Sequence, residues 1–253
     1  MRSPASAGRT WLARTASLKV QMIIYDFDGV IADSEVVANA VLAEMVTDLG
    51  TPASREDSYR LFMGKRFTEV AAAIEALTGR PLPATFAGDY QHRLFARFRE
   101  GLCEVPGFRA YQTAFRDRPA CIASSSAPER LALCLDVLGL TAAFGQRVFS
   151  AAMVPQGKSA PDIFLHAAGE MGIAPPACLV LEDSVSGVVA GKAAGMTVIG
   201  LLAASHVNGA HGAKLKAAGA DFIAGDFREA EQQTWQWLSI NDDGEGRIPY
   251  KPA

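Results

Sequence analysis

Three aspartates, a glutamate, a lysine and a run of serines stand where the chain turns from apolar to polar. Asp26 and Asp28 follow the apolar run 20–25 (VQMIIY), with Gly29 next. Ser124, Ser125 and Ser126 follow 119–123 (PACIA), and Glu182 and Asp183 follow 177–181 (ACLVL). Lys158 lies between these two groups. Carboxylates are the hard oxygen ligands that Mg2+ takes. One carboxylate can attack phosphorus, and a second, two residues away, can act as acid and then as base. A lysine and a hydroxyl can hold phosphoryl oxygens as charge spreads over them. Taken together the set suits phosphoryl transfer. Each piece alone has a plainer reading: turn chemistry for D-x-D, a helix cap for the serines or for Glu182-Asp183-Ser184, a solvated lysine.

These groups need a scaffold that brings them together from distant points. The runs 20–25, 119–123, 177–181 and 197–201 (TVIGL) are short, apolar and rich in strand formers, with weaker candidates at 147–149 and 221–224. Such runs suit buried parallel strands. Amphipathic stretches at 129–138, 162–171, 184–194 and 212–218 alternate with them, which predicts a doubly wound parallel α/β sheet. Ligands of such sheets bind beyond the carboxyl ends of the strands. The segment 34–104 breaks the alternation. It offers helices at 34–49, 54–62, 67–78 and 84–100, with turn signals at 50–52 and 79–83, and reads as a helical insertion after the first strand. The expected organisation is an extension at 1–19 that forms no structure, a core at 20–33 and 105–238, the insertion at 34–104, and a flexible tail at 239–253.

Composition closes off other classes. The 253 residues are 49% hydrophobic and 20% charged, with 24 basic against 27 acidic side chains and a net charge of −3. That balance speaks against a nucleic-acid binder working through bulk charge. No apolar run reaches 18 residues, so no membrane-spanning helix is expected. Cys103, Cys121, Cys134 and Cys178 form no C-x-x-C pair, and read as reduced thiols of a cytoplasmic protein. The first 25 residues carry Arg2, Arg9, Arg14 and Lys19 and no acid; such a start can mimic a transit peptide, but a disordered tail or over-long start is the plainer reading. Gly157-Lys158-Ser159 looks like the end of a P-loop, yet Ala152 stands where that loop needs glycine. His206 and His211 sit in a Gly/Ala-rich loop and read as solvated histidines near the edge of the site.

The string from Asp26 to Glu35 (DFDGVIADSE) resembles the first motif of the haloacid dehalogenase superfamily. Residues 122–124 (IAS), 157–162 (GKSAPD) and 181–184 (LEDS) resemble the second, third and fourth. The resemblance spans roughly residues 20–225. It implies a Rossmann-like core with a helical cap inserted after the first strand. It assigns Asp26 as nucleophile and Mg2+ ligand, and Asp28 as acid/base with its backbone carbonyl on the metal. Ser124, with its neighbours Ser125 and Ser126, would bind the phosphoryl group, and Lys158 would neutralise it. Asp183 would complete the metal site, with Glu182 a ligand or a support. Ser159 stands where the third motif usually has proline.

Within the family, Asp28 disfavours the dehalogenases and the phosphonoacetaldehyde hydrolases, which lack that aspartate. The β-phosphoglucomutases keep it, but typically have a histidine where this chain has Ala38 and an arginine where it has Phe67. The Asp33-Ser34-Glu35 ending is similar to that of sugar- and polyol-phosphate phosphatases, the 6-phosphogluconate phosphatases included. Lys65 and Arg66 are candidates to pair with a substrate carboxylate or phosphate. The expectation is a Mg2+-dependent phosphatase of a small phosphorylated metabolite, a monomer or small homo-oligomer without nucleic-acid or membrane partners. A phosphosugar mutase is the alternative, and a phospho-accepting switch without turnover the remote one.

Overall fold

The computed structural model describes residues 21–63, 67–207 and 209–241. The extension at 1–19, Lys65, Arg66 and all but the first three residues of the expected tail lie outside the described residues.

Six strands form one parallel sheet: β1 (Met22–Tyr25), β2 (Ala120–Ser124), β3 (Val148–Ser150), β4 (Cys178–Glu182), β5 (Thr197–Leu201) and β6 (Phe222–Ala224). Their order is β3-β2-β1-β4-β5-β6, with β1 pairing in parallel with both β2 and β4. The chain winds outward from β1 on one side, then returns to build the other. The reversal between β1 and β4 is the switch point where such sheets open a crevice.

Alternation along the strands explains why they are buried on both faces. Ile23, Tyr25, Ile122, Leu179 and Leu181 join one apolar cluster, while Met22, Ile24, Cys121, Cys178 and Val180 join the other. Helices α5 (Phe108–Ala114) and α11 (Phe227–Asn241) cover the first face, where Tyr25 meets Phe108, Tyr111 and Phe144 edge-on. Helices α8 (Asp162–Glu170) and α9 (Val185–Ala193) cover the second. Helices α6 (Pro128–Val137), α7 (Thr141–Phe144) and α10 (His211–Ala217) complete the crossovers. The cysteines are all free thiols; Cys121, Cys134 and Cys178 are buried, whereas Cys103 is exposed. Burial pushes the Cys178 thiol up to about 12, so it stays protonated and inert.

The helical insertion follows β1 as α1 (Ser34–Asp48), α2 (Arg55–Phe62), α3 (Phe67–Thr78) and α4 (Phe86–Gly101). Ser54 and Asp57 cap α2 reciprocally, each side chain on the other's backbone N–H. Phe62, Val70, Ile74, Phe86, Leu94 and Phe98 supply its interior. The chain enters and leaves the insertion through two adjacent antiparallel segments. Ala32 and Glu104 form an antiparallel bridge, Val105 N donates to Ile31 O at 2.9 Å, and Asp33 N to Cys103 O at 3.0 Å. Among the described residues, no helix is long and apolar enough to cross a membrane.

Candidate active site

The polar residues singled out in the sequence converge at the carboxyl ends of β1, β2 and β4. Asp26 sits one residue past β1, its N–H still on the ladder to Leu181 O at 3.0 Å. The chain then turns tightly: Ile31 N and Ala32 N both donate to Phe27 O, and Gly29 N to Ala32 O. Gly29 has φ +80°, and a Cβ there would lie 1.8 Å from Asp183 Oδ2. Glycine is therefore required twice over, by the turn and by the approach of the fourth motif.

Lys158 is the bridge. Its side chain is 3% exposed, and its Nζ donates to Asp26 Oδ1 and to Glu182 Oε1, both at 2.6 Å. Its ammonium also faces the Phe164 ring, 5.0 Å from the centroid. Burial alone would lower its pKa, but the two carboxylates outweigh burial and raise it, so Lys158 stays charged. The opposite holds for Asp26. Burial pushes its carboxyl up despite Lys158, with Glu182 and Asp183 adding to the rise.

One oxygen each of Asp26, Glu182 and Asp183 lies within 4.8 Å of the others, and all three residues are buried. Three carboxylates against one ammonium leave an excess of buried negative charge. A divalent cation with oxygen ligands fits that excess and that donor set. Glu182 is the most committed of the three. Besides Lys158, it accepts from Ser184 N at 2.8 Å and Ser184 Oγ at 2.9 Å through Oε2. Ser184 in turn caps α9 through Gly187 N. Glu182 thus holds Lys158 and the helix start, while Asp26 and Asp183 have the freer oxygens.

Gly187 makes room for this arrangement, since a Cβ there would lie 1.7 Å from Glu182 Oε1. Gly187→Ala is expected to displace Glu182 and release Lys158, lowering kcat by about 10²-fold, the scale of an ångström-level misplacement. Steady-state kinetics beside a thermal melt would check it.

Asp28 is held from three directions. Ser126 Oγ donates to its Oδ2 at 2.5 Å, Arg130 Nη2 to its Oδ1 at 2.6 Å, and Ser34 Oγ also to Oδ1. Burial opposes its charge, yet the guanidinium and the two hydroxyls outweigh burial and hold the carboxyl below its ordinary range. Ser124 ends β2 fully buried, its Oγ accepting from Ser126 N at 3.1 Å. Ser150 Oγ, on the next strand, donates to Ser126 O at 2.7 Å. Ser125 is exposed at the loop tip.

Four residues near the site have no role assigned by the motifs. Ser34, inside the first-motif string, and Arg130, outside every motif, both lie on Asp28. His206 is not solvated: its side chain is 9% exposed and its Nε2 lies 3.4 Å from Asp183 Oδ2. Burial works against its protonation, but the Asp183 carboxylate outweighs that and raises its pKa. His211 Nε2 meets the backbone carbonyl of Asp183. Both histidines come from the segment after β5, so their role follows from sheet order, which places β5 beside β4.

Comparison with known proteins agrees with this geometry. A family model described as haloacid dehalogenase-like hydrolase matches residues 20–195. The 6-phosphogluconate phosphatase of Escherichia coli is 26% identical over 189 residues, 74% of this chain and 85% of that protein. A β-phosphoglucomutase of Mycobacterium tuberculosis is 29% identical over 246 residues, 83% of this chain and 91% of that protein. The crystal structure of a HAD family hydrolase from Deinococcus radiodurans, with bound phosphate and sodium, superposes with a TM-score of 0.74 at 31% identity. It covers 86% of this chain and 96% of its own. With its parallel core, its inserted helical cap and its acids gathered at the switch point, the chain belongs to the haloacid dehalogenase-like hydrolases.

Proposed function

We propose that the protein is a Mg2+-dependent phosphatase, hydrolysing the phosphomonoester of a sugar, polyol or sugar acid through an aspartyl-phosphate on Asp26. The observation that carries this reading is the Lys158 bridge between Asp26 and Glu182, set beside Asp183 and Asp28 at the switch point. The bound phosphate in the Deinococcus structure and the phosphatase among the relatives support it.

Asp26 and Asp183, with the Asp28 backbone carbonyl, would hold the metal. When bound, the ion screens the carboxylates and draws charge from the phosphoryl oxygens. The chain's own residues do the rest. Lys158 and Ser124, with the backbone N–H groups of the serine loop, bind the phosphoryl oxygens. Asp26 attacks phosphorus while the ester P–O bond breaks, and Asp28, which must first take up a proton from solvent against the pull of Arg130 and its two serines, passes that proton to the departing alkoxide. Water then attacks the same phosphorus, Asp28 takes its proton, and the bond to Asp26 breaks. The cap excludes bulk water and reads the leaving group. Free thiols throughout the described chain agree with a cytoplasmic setting.

The mutase is the second reading, favoured by the Mycobacterium relative. Ala38 and Phe67 stand against it. Ala38 is buried in the apolar cluster, and Phe67 stacks on Phe86 and Tyr90, so neither reaches a sugar with a polar atom. Phosphate release from a panel of sugar, polyol and sugar-acid phosphates, with isomer formation from β-glucose 1-phosphate followed in parallel, separates the two. Many phosphates per chain are expected, with EDTA abolishing release and Mg2+ restoring it. Isomer without phosphate would make the protein a mutase, and full release in EDTA would remove the metal from the reaction.

A further inference from the structure

We infer that Arg130 is a positioning residue for Asp28, seated on the cap so that the acid–base carboxylate is aligned from the cap side as well as from the core. The inference rests on the reading of Asp28 as the acid–base group.

Arg130 lies on the first turn of α6, 102 residues from Asp28 in sequence. Its Nη2 donates to Asp28 Oδ1 at 2.6 Å and reaches Ser34 Oγ at 3.3 Å. Its guanidinium carbon stands 5.3 Å from the centroid of Phe98, a fully buried residue of cap helix α4. The contact therefore joins three elements: the turn after β1, the helix after β2 and the last helix of the cap. A guanidinium set over a ring and donating through a single Nη2 to a buried carboxylate has few alternative orientations. Ser126 on Oδ2 fixes the other oxygen. Asp28 is thus an acceptor at both oxygens, with its plane set by groups that take no part in bond making.

Misaligning an acid–base group leaves a signature that misfolding or lost substrate binding does not. An aryl phosphate has a leaving group that departs without a proton, so formation of the phosphoenzyme, which kcat/KM reports, needs no acid. Hydrolysis of the phosphoenzyme still needs the base. An alkyl phosphate needs Asp28 in both steps.

The experiment compares wild type, Arg130→Met, Arg130→Lys and Asp28→Asn on p-nitrophenyl phosphate and on an alkyl phosphate such as sorbitol 6-phosphate, with Mg2+. For Arg130→Met, kcat on the aryl ester is expected to fall about 10–100-fold with kcat/KM within about 3-fold of wild type. A burst of one nitrophenol per chain should precede the slow phase. On the alkyl ester kcat/KM should fall by a similar 10–100-fold. Arg130→Lys, which keeps the charge and one donor, should recover part of the loss. It also serves if the methionine variant does not fold. Equal losses of kcat/KM on both esters without a burst would overturn the proposal and make Arg130 a binding or structural residue. If Asp28→Asn itself spares the alkyl ester, the acid–base reading fails, and the role of Arg130 with it. If Asp28→Asn shows the divergence and both Arg130 variants do not, only the Arg130 proposal falls.

Discussion

Asp26→Asn should abolish turnover while leaving the fold as stable as wild type or more so. The amide cannot attack phosphorus, so the covalent route closes. A fall in kcat of about 10⁴-fold or more is expected, the scale seen when a covalent nucleophile is removed. The stability half of the prediction follows from burial. Burial pushes the Asp26 carboxyl up even with Lys158 beside it, so relative to the unfolded chain the metal-free fold shifts the balance toward a neutral group there. An amide supplies that group at nearly the same volume, and Lys158 keeps Glu182 at 2.6 Å. Thermal melts in EDTA, run beside the kinetics, would check both halves. A large drop in melting temperature would mean that the Asp26–Lys158 pair is a structural brace rather than a reactive site under charge strain.

Lys158→Met should cost activity and stability together. The side chain is 3% exposed and its partners are as deeply buried, at 9% for Asp26 and 0% for Glu182. Removing one member of a buried pair leaves the others uncompensated, at a cost of about 3–5 kcal/mol. For a chain of this size the melting temperature should drop on the order of 10 °C. The loss has a pH signature. Asp26 is already raised, and without Lys158 its carboxyl rises further. A group whose pKa is higher folded than unfolded favours the fold as pH falls through the folded value, and that contribution is lost as pH rises. The deficit of Lys158→Met relative to wild type should therefore be largest at alkaline pH and shrink on acidification. Melts across pH 5–9 would show it, and a deficit that grows toward acid would contradict it.

How much of this was legible beforehand depended on where each contact lies in sequence. The central strands could be read because burial on both faces leaves unbroken apolar runs, and each ended within a residue or two of its expected bounds. Thr197–Leu201 matched outright. The convergence of the polar residues was legible because parallel strands deliver their last residues to one crevice, so a polar residue after each run has a shared destination. Helix α11 was harder to see. It extends through Asn241, and its inward face is set by spaced residues such as Phe227, Ala230 and Trp237 rather than by an apolar run. Arg130 looked like one charge on an amphipathic helix, because its partners Asp28, Ser34 and Phe98 lie far away along the chain. His206 looked solvated because its loop is rich in glycine and alanine. Its burial against Asp183 depends on β5 lying beside β4, a matter of strand order that no local pattern encodes.

The most direct test is to find the phosphoryl group on the chain. The enzyme would be quenched in acid during turnover of p-nitrophenyl phosphate with Mg2+, reduced with borohydride, digested and sequenced by mass spectrometry. An aspartyl-phosphate is reduced to homoserine under these conditions. Homoserine at position 26, formed only with substrate and Mg2+ and absent from Asp26→Asn, is the expected result. Steady phosphate release with an unmodified aspartate at position 26, or modification of another residue, would contradict covalent catalysis by Asp26.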